Sequence, residues 1–261
     1  MNEGQISISR AEQALEKGAA EEAVRILKRL LQEQGDDVET RAFLGEALVE
    51  AGHLEEAATV LEKVVGELPA EYDLQFDLGD VYFELGRPED ACRVYEAVLF
   101  RDPGQTDARV SLGLIHYHQE RMDKAEECYR QALEQDPGSV FALYSLGDVC
   151  FATGRADDAR DCFEKALALE PEDPQGHFNL AEFHYENDDL VEAEKYCRKT
   201  IALDPDFSFA YLTLGNIYLD QEQIQESLHC FREFLKHEKS QASKDICAEV
   251  KALIEGLKEE A

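Results

Sequence analysis

A period of 34 residues runs through most of this 261-residue chain and constrains its fold more than any other feature. Three columns of residues recur at this spacing. A leucine followed by glycine or alanine stands at Leu44, Leu78, Leu112, Leu146, Leu180 and Leu214. The other two columns are alanine at Ala57, Ala91, Ala125, Ala159 and Ala193, and proline at Pro69, Pro103, Pro137, Pro171 and Pro205. Separate columns in register predict a tandem array in which each unit buries its apolar face against its neighbours.

Each unit is predicted to form two helices. Positions within a unit are numbered from 1, and the six clear units begin at residues 38, 72, 106, 140, 174 and 208. Small residues at positions 8 and 20 let the two helix backbones approach closely, while larger residues at positions 7, 11 and 24 fill the space beside them. The proline at position 32 ends the second helix, because proline lacks an amide hydrogen and clashes inside a helix.

This pattern resembles the tetratricopeptide repeat family, whose 34-residue unit carries Leu-Gly, Tyr, Ala, Phe and Pro at these positions. The resemblance implies an all-α fold, a right-handed superhelical α-solenoid of helix-turn-helix repeats. With a degenerate first unit, the predicted array spans 4–241 as 4–37, 38–71, 72–105, 106–139, 140–173, 174–207 and 208–241. The chain departs from the family in lacking tryptophan and, in its last unit, in having Ser227 for alanine and no closing proline.

A single further helix is predicted after the array, over residues 243–259. Ser243 is a candidate N-cap for this helix. One apolar stripe runs along it, formed by Ile246, Val250, Leu253, Ile254 and Leu257. We expect this stripe to cover the open end of the stacked repeats, which makes the segment a C-terminal capping helix. The alternative is a tail that binds a partner.

The balance of charge excludes two classes of partner. The chain has 57 acidic and 26 basic residues, which gives a formal net charge of −31. Nucleic-acid binding requires lysine and arginine to neutralise phosphates, and anionic membrane surfaces repel so acidic a protein. No apolar run reaches the length that a membrane-spanning helix needs, about 18 residues. The N-terminus lacks the basic and apolar parts of a secretory signal. We therefore expect a cytoplasmic protein that binds neither nucleic acid nor membrane.

No constellation of residues predicts catalysis, a metal site or a cofactor. The sequence has no glycine-rich phosphate loop, His-Glu-x-x-His or Gly-x-Ser-x-Gly motif. His116 and His118 lie two residues apart and so point to different faces of a helix. The seven cysteines form no Cys-x-x-Cys pair and are predicted to be free thiols in a reducing compartment. Because almost every residue belongs to a repeat or to the last helix, we expect a protein that is not an enzyme.

The side of each first helix that faces away from its own second helix has an unusual composition. Positions 2, 5, 6, 9, 12 and 13 lie on that side of a helical wheel. In the six units these are 36 residues, which include 10 of the 23 aromatic residues, where proportional sharing gives about 3. They also include 12 acidic residues and no lysine or arginine. A surface exposed only to solvent is expected to be polar and mixed in charge, so this side is predicted to contact something else.

In the family that the pattern resembles, the first helices line the concave side of a superhelix, and these positions contact bound peptides. The resemblance therefore implies an acidic groove lined with aromatic residues, which favours a protein or peptide partner of basic or apolar character. Its predicted aromatic contacts are Phe76, Phe83, Tyr117, Tyr144, Phe151, Phe178 and Tyr185. Asp80, Asp148 and Glu182 are predicted to pair with lysine or arginine, and Asn179 and Asn216 to bond a peptide backbone.

Two alternatives stay open at this stage. Each aromatic residue of the predicted groove has a second interpretation, in which it packs against the first helix of the neighbouring unit. That interpretation explains the apolar character of the surface but does not explain the missing lysine and arginine. For the function, a protein-interaction scaffold is the first hypothesis. The second is an assembly factor or a self-associating structural subunit of a larger complex, which uses the ends and convex face of the array.

Overall fold

The computed structural model describes residues 3–240 and 243–260, and these residues form fifteen α-helices and no strands. The all-α prediction is therefore confirmed. The helices are α1 (Glu3–Glu16), α2 (Ala20–Gln34), α3 (Val38–Glu50), α4 (Leu54–Glu67), α5 (Tyr72–Glu84), α6 (Pro88–Arg101), α7 (Thr106–His118), α8 (Met122–Gln135), α9 (Val140–Ala152), α10 (Ala156–Leu169), α11 (Pro174–Glu186), α12 (Leu190–Leu203), α13 (Ser208–Asp220), α14 (Ile224–His237) and α15 (Lys244–Glu260). Within the described ranges, no helix has both the length and the apolar character needed to cross a membrane.

The chain divides into two compact units, Met1–Gln135 and Asp136–Ala261. Unit 1 contains α1–α8 as four pairs of neighbouring helices, and unit 2 contains α9–α14 as three pairs, followed by α15. Within each unit, each pair also contacts the next pair along the chain. Each unit is therefore built from the helix pairs that the 34-residue period predicts.

The leucine–glycine column has a steric cause, because the glycine lies under a large side chain of the second helix, which is Leu61 for Gly45 and an aromatic ring for the other four glycines. In unit 1, a Cβ placed on Gly79 would lie 2.5 Å from Cζ of Tyr95. In unit 2, a Cβ on Gly215 would lie 2.6 Å from Cδ1 of Phe231. Both rings belong to position 24 and are almost completely buried. The residues at positions 8 and 24 thus share one packing space inside each pair of helices.

The turn between the two helices of a pair has one backbone conformation that recurs at position 15. Gly52, Gly86 and Gly154 have φ values of 74°, 69° and 77°. In the other three clear repeats an acidic residue has the same left-handed conformation at this position, and these residues are Glu120, Asp188 and Glu222. The turn geometry therefore belongs to the repeat and is kept where glycine is absent.

In unit 2, α15 packs most of its apolar stripe against α14, whereas Leu253, which was predicted to belong to that stripe, is exposed. Val250, Ile254 and Leu257 are buried in one cluster with Phe231 and Phe234. The carbonyl of Ser243 accepts the amide hydrogen of Cys247 at 2.9 Å, so Ser243 stands at the start of the helix as its sequence position predicts. This packing supports our proposal that the segment 243–259 caps the array 4–241.

Candidate peptide-binding surface

We use the name first-helix surface for positions 2, 5, 6, 9, 12 and 13 of the first helix of each pair. In unit 1 this surface lies on α3, α5 and α7, and in unit 2 it lies on α9, α11 and α13. The twelve residues predicted to form a groove all belong to it. They are Phe76, Asp80, Phe83 and Tyr117 in unit 1, and Tyr144, Asp148, Phe151, Phe178, Asn179, Glu182, Tyr185 and Asn216 in unit 2.

The predicted aromatic contacts of unit 1 are half-buried rather than fully open to solvent. The Phe76 ring lies 5.7 Å from the ring of Tyr95, centroid to centroid. The Phe83 ring lies 5.2 Å from that of His118 on α7, and so joins two neighbouring first helices. Part of each ring is therefore used for packing within the unit, and the remaining part is exposed on the first-helix surface.

The aromatic residues of unit 2 divide into one buried residue and three half-buried ones. Tyr144 is only 8% exposed, and its hydroxyl donates to Oδ2 of Asp173 at 3.0 Å, just before α11. This environment matches the packing interpretation of Tyr144, whose role as a ligand contact stays a prediction. The half-buried rings of Phe151 and Phe178 also have aromatic neighbours, in Phe183 at 5.7 Å and Phe207 at 4.9 Å.

Tyr185 and two of the predicted polar contacts of unit 2, Asn179 and Glu182, form hydrogen bonds with residues of the first helices. The Tyr185 hydroxyl donates to Oδ2 of Asp220 on α13 at 2.9 Å. The hydroxyl of Thr213 donates to Oε1 of Glu182 at 2.6 Å, which joins α13 to α11. Asn179 accepts a hydrogen bond from the side-chain amide of Gln175 at 2.7 Å, and Asn216 is half-buried. Three of these four residues thus already have a partner within unit 2.

Carboxyl groups of unit 1 crowd together on the first-helix surface. Burial and the negative charges of Asp77, Glu50 and Asp73 raise the pKa of Glu46. Burial, Asp80 and Asp73 likewise raise the pKa of Asp77. The predicted contact Asp80 is exposed and accepts the hydroxyl of Tyr95 at 2.5 Å.

In unit 2 the carboxyl groups on this surface are shifted mainly by loss of water. Burial raises the pKa of Asp148 to about 6, although part of its side chain remains open to solvent. Burial also raises the pKa of Glu182. The hydrogen bond from Thr213 opposes this effect, and the negative charge of Glu186 adds a smaller effect in the same direction as burial.

A cavity of about 640 Å³ at the start of unit 1 extends the first-helix surface to α1. Its walls include apolar Phe43 and Leu74 together with the carboxylates of Glu12, Glu46 and Asp73. Sequence reasoning named none of these residues as contacts. The signal was present in the composition of positions 2, 6 and 9, but nothing in the pattern distinguished these residues from the other residues at the same positions.

No group of His, Cys, Asp and Glu side chains in residues 3–240 and 243–258 has an arrangement that suits a metal ion. The seven cysteines all lie in the described part of the chain, where none of them forms a disulfide, and four of them are buried. For Cys197 and Cys230, burial raises the pKa of the thiol, which keeps it in its neutral and less reactive form.

Three family models described as tetratricopeptide repeat match the chain. One matches residues 76–140, 124–161 and 144–206, a second matches 14–69, and a third matches 210–238. The first model alone extends over half of the chain, from 76 to 206. A search among curated proteins found no significant match.

Several solved structures resemble this fold. A tetratricopeptide repeat protein from Parabacteroides merdae aligns with a TM-score of 0.79 at 19% identity, over 96% of this chain and 98% of that one. MamA (41-end) from Desulfovibrio magneticus aligns with a TM-score of 0.58 at 26% identity, over 66% of this chain and 97% of that one. The pilF protein of Pseudomonas aeruginosa aligns with a TM-score of 0.64 at 19% identity, over 82% of this chain and 96% of that one. These structures share a helical repeat fold with this chain.

Proposed function

This chain belongs to the tetratricopeptide repeat family, and we propose that it is a non-enzymatic scaffold whose first-helix surface binds a basic or apolar protein segment. Proteins of this family generally mediate protein–protein interactions. The proposal adds to that general role the chemical character of the partner and the surface that binds it.

The observation that carries the proposal is the composition of the first-helix surface, which in the six clear repeats has 12 acidic residues, 10 aromatic residues and no lysine or arginine. The pKa values of four carboxyl groups on this surface are raised, those of Glu46, Asp77, Asp148 and Glu182. The folded protein alone therefore bears a cost in keeping these carboxylates ionised. A lysine or arginine of a bound segment supplies the missing positive charge and favours their ionised form.

The half-buried aromatic rings supply the apolar part of the binding surface. Covering the exposed half of one phenylalanine removes about 100 Å² from water, worth roughly 2–3 kcal/mol. Association itself costs at least about 4 kcal/mol, so two or three such contacts are needed beside the charge pairs. Within unit 2, Phe151 and Phe178 are suitable anchors because each is half-buried, and Phe83 offers a contact of the same kind within unit 1.

A pair of synthetic peptides tests the proposal. One alternates lysine with leucine and phenylalanine over about twelve residues, and the other replaces every lysine with glutamate. We expect only the basic peptide to bind in a fluorescence-anisotropy titration, and Asp148→Asn combined with Glu182→Gln to weaken its binding about tenfold or more. The control variant, Asp161→Asn with Glu164→Gln, removes two exposed charges from the second helix α10 and is expected to bind like the wild type.

Equal binding of both peptides would contradict the charge preference. Equal weakening by the two double variants would mean that total charge, rather than the first-helix surface, governs the interaction. Phe151→Ala, with its stability measured in parallel, separates a contact from a packing residue. Lost stability without a change in the affinity of the folded protein would assign Phe151 to packing.

Exposed apolar side chains on second helices support self-association as a second candidate function. Phe100 on α6 is 90% exposed and Val191 on α12 is 75% exposed. Light scattering over a range of concentrations tests this function, with Phe100→Ser and Val191→Ser as variants. A wild-type chain that remains monomeric at about millimolar concentration would exclude self-association of useful strength.

A further inference from the structure

A cavity of about 540 Å³ lies in unit 2 between α12, α13 and α14. Its walls include Ile201 of α12, the rings of Tyr211 and Tyr218 of α13, and the thiol of Cys230 of α14. Tyr211 and Tyr218 occupy positions 4 and 11, on the side of the first helix that faces its own second helix. The cavity is therefore separate from the first-helix surface, and the proposed function makes no use of it.

The preceding repeat, 174–207, contains an aromatic ring at the equivalent place. Positions 4, 11 and 23 of that repeat are His177, His184 and Tyr196. The Tyr196 ring stacks on His184, with centroids 5.5 Å apart and planes at 13°, and lies 6.0 Å from the His177 ring. Two rings of the first helix thus receive a third ring from the second helix.

The last clear repeat keeps the two rings of the first helix but lacks the ring between them. Its residues at positions 4, 11 and 23 are Tyr211, Tyr218 and Cys230. A thiol is much smaller than a phenol ring, and the cavity lies where the missing ring would be. The opening therefore has the aromatic surroundings of the side chain that the neighbouring repeat provides from its own sequence, and its volume is more than large enough to admit such a ring.

The aromatic wall of the cavity is held in place by hydrogen bonds. The hydroxyl of Tyr218 donates to Oε1 of Glu194 at 2.9 Å and accepts from Nη2 of Arg198 at 2.5 Å. At position 22, beside the missing ring, His229 lines the cavity. Its counterpart Lys195 places its ammonium 5.2 Å from the centroid of the Tyr196 ring. The surroundings of an aromatic guest are thus assembled before it binds.

We propose that this cavity is a second binding site, which accepts the side chain of a tyrosine or phenylalanine from a protein partner. The volume lies within the range of known ligand pockets, about 300–1,000 Å³. An aromatic guest is favoured over an aliphatic one because stacked and edge-on ring pairs gain energy beyond the area that they bury. The neighbouring repeat supplies the model for its position, with Tyr196 between two rings.

The probe for this site is N-acetyl-tyrosinamide, titrated into the full chain and followed by the NMR signals of the Tyr211 and Tyr218 rings. We expect saturable shifts and binding about fivefold tighter than that of N-acetyl-leucinamide. Cys230→Tyr, which supplies the ring from the chain itself as position 23 of the preceding repeat does, is expected to abolish binding. Cys128→Tyr makes the same substitution at position 23 of repeat 106–139 in unit 1 and is expected to leave binding unchanged.

Four results would overturn the proposal, three from the titrations with the two amino-acid derivatives and one from the source of the ring. The first is the absence of saturable shifts at Tyr211 and Tyr218, and the second is equal affinity for the leucine derivative. The third is unchanged binding in Cys230→Tyr or, if that variant does not fold, in Ala202→Phe, which narrows the cavity from an exposed position of its wall. Phenol and a Gly-Tyr-Gly peptide distinguish the source of the ring. If phenol binds and the peptide does not, the ligand is a small molecule and the protein partner is excluded.

Discussion

At the scale of single residues, the pairing of positions 8 and 24 explains an exception in the repeat. In four of the six clear repeats, glycine at position 8 is combined with tyrosine or phenylalanine at position 24, as with Gly79 and Tyr95. The unit that begins at 174 instead combines Ala181 with Cys197, and both are completely buried. The extra methyl of alanine is compensated by a smaller partner, so the two positions vary together for steric reasons.

This pairing predicts a compensating double substitution. Cys197→Phe alone is expected to destabilise the fold by about 1–3 kcal/mol, because the new ring overlaps the methyl of Ala181. Adding Ala181→Gly removes that methyl and is expected to restore most of the lost stability. Urea denaturation of the two single variants and the double variant measures the coupling free energy. Additive effects would mean that Ala181 and Cys197 do not share one packing space.

The carboxyl group of Asp148 predicts a residue-scale effect of pH on stability. Its pKa is raised from 3.8 to about 6 in the folded chain, so the folded state binds more protons than the unfolded state between these values. Its contribution therefore favours folding at low pH and is lost as pH rises through about 6. Asp148→Asn is expected to raise the free energy of unfolding at about pH 7.5 more than at about pH 5. The matched control is Asp161→Asn on α10, and an equal gain at both pH values would contradict the prediction.

At the scale of elements, the turn between paired helices offers a direct test of backbone strain. Glu222 has a φ of 60°, in the left-handed region where a side chain costs roughly 1 kcal/mol and glycine costs less. Glu222→Gly is therefore expected to stabilise the fold by about 0.5–1 kcal/mol in thermal or urea denaturation. The reciprocal control, Gly154→Ala, is expected to destabilise it by a similar amount. Destabilisation by Glu222→Gly would show that the glutamate side chain contributes more than its backbone strain costs.

The helices of this fold were predictable from the sequence because each repeat has the same types of residue at the positions where its two helices pack together. One repeat is defined as a helix pair by Leu78, Gly79 and Pro103, and the next repeat is defined by the residues that lie 34 positions further along the chain. The candidate site was predictable only as a surface. Whether Tyr144 is buried or Phe151 half-buried depends on neighbouring helices, and a helical wheel contains no such information. The cavity beside Cys230 likewise depends on what three helices leave unfilled.

At the scale of the whole molecule, the net charge of −31 acts on folding and on binding in opposite ways. Like charges repel more strongly in the compact state, so salt that screens them is expected to stabilise the fold. The same screening weakens the attraction between the protein and a basic segment, and lowers the association rate most. Total charge alone therefore predicts a midpoint of thermal unfolding that rises with salt and an affinity for basic peptides that falls with it.

Measurements at about 20 mM and about 300 mM sodium chloride test this opposition, with the basic peptide described above as the ligand. We expect the midpoint of thermal unfolding to rise and the association rate, measured by stopped-flow anisotropy, to fall at least about tenfold. A leucine- and phenylalanine-rich peptide without charge is the control, and its affinity should stay the same or increase. An equal loss of affinity for both peptides, as the fold becomes more stable, would contradict this prediction. It would mean that the binding surface closes as the protein is stabilised, and that the acidic groups of the first-helix surface are not the main cause of binding.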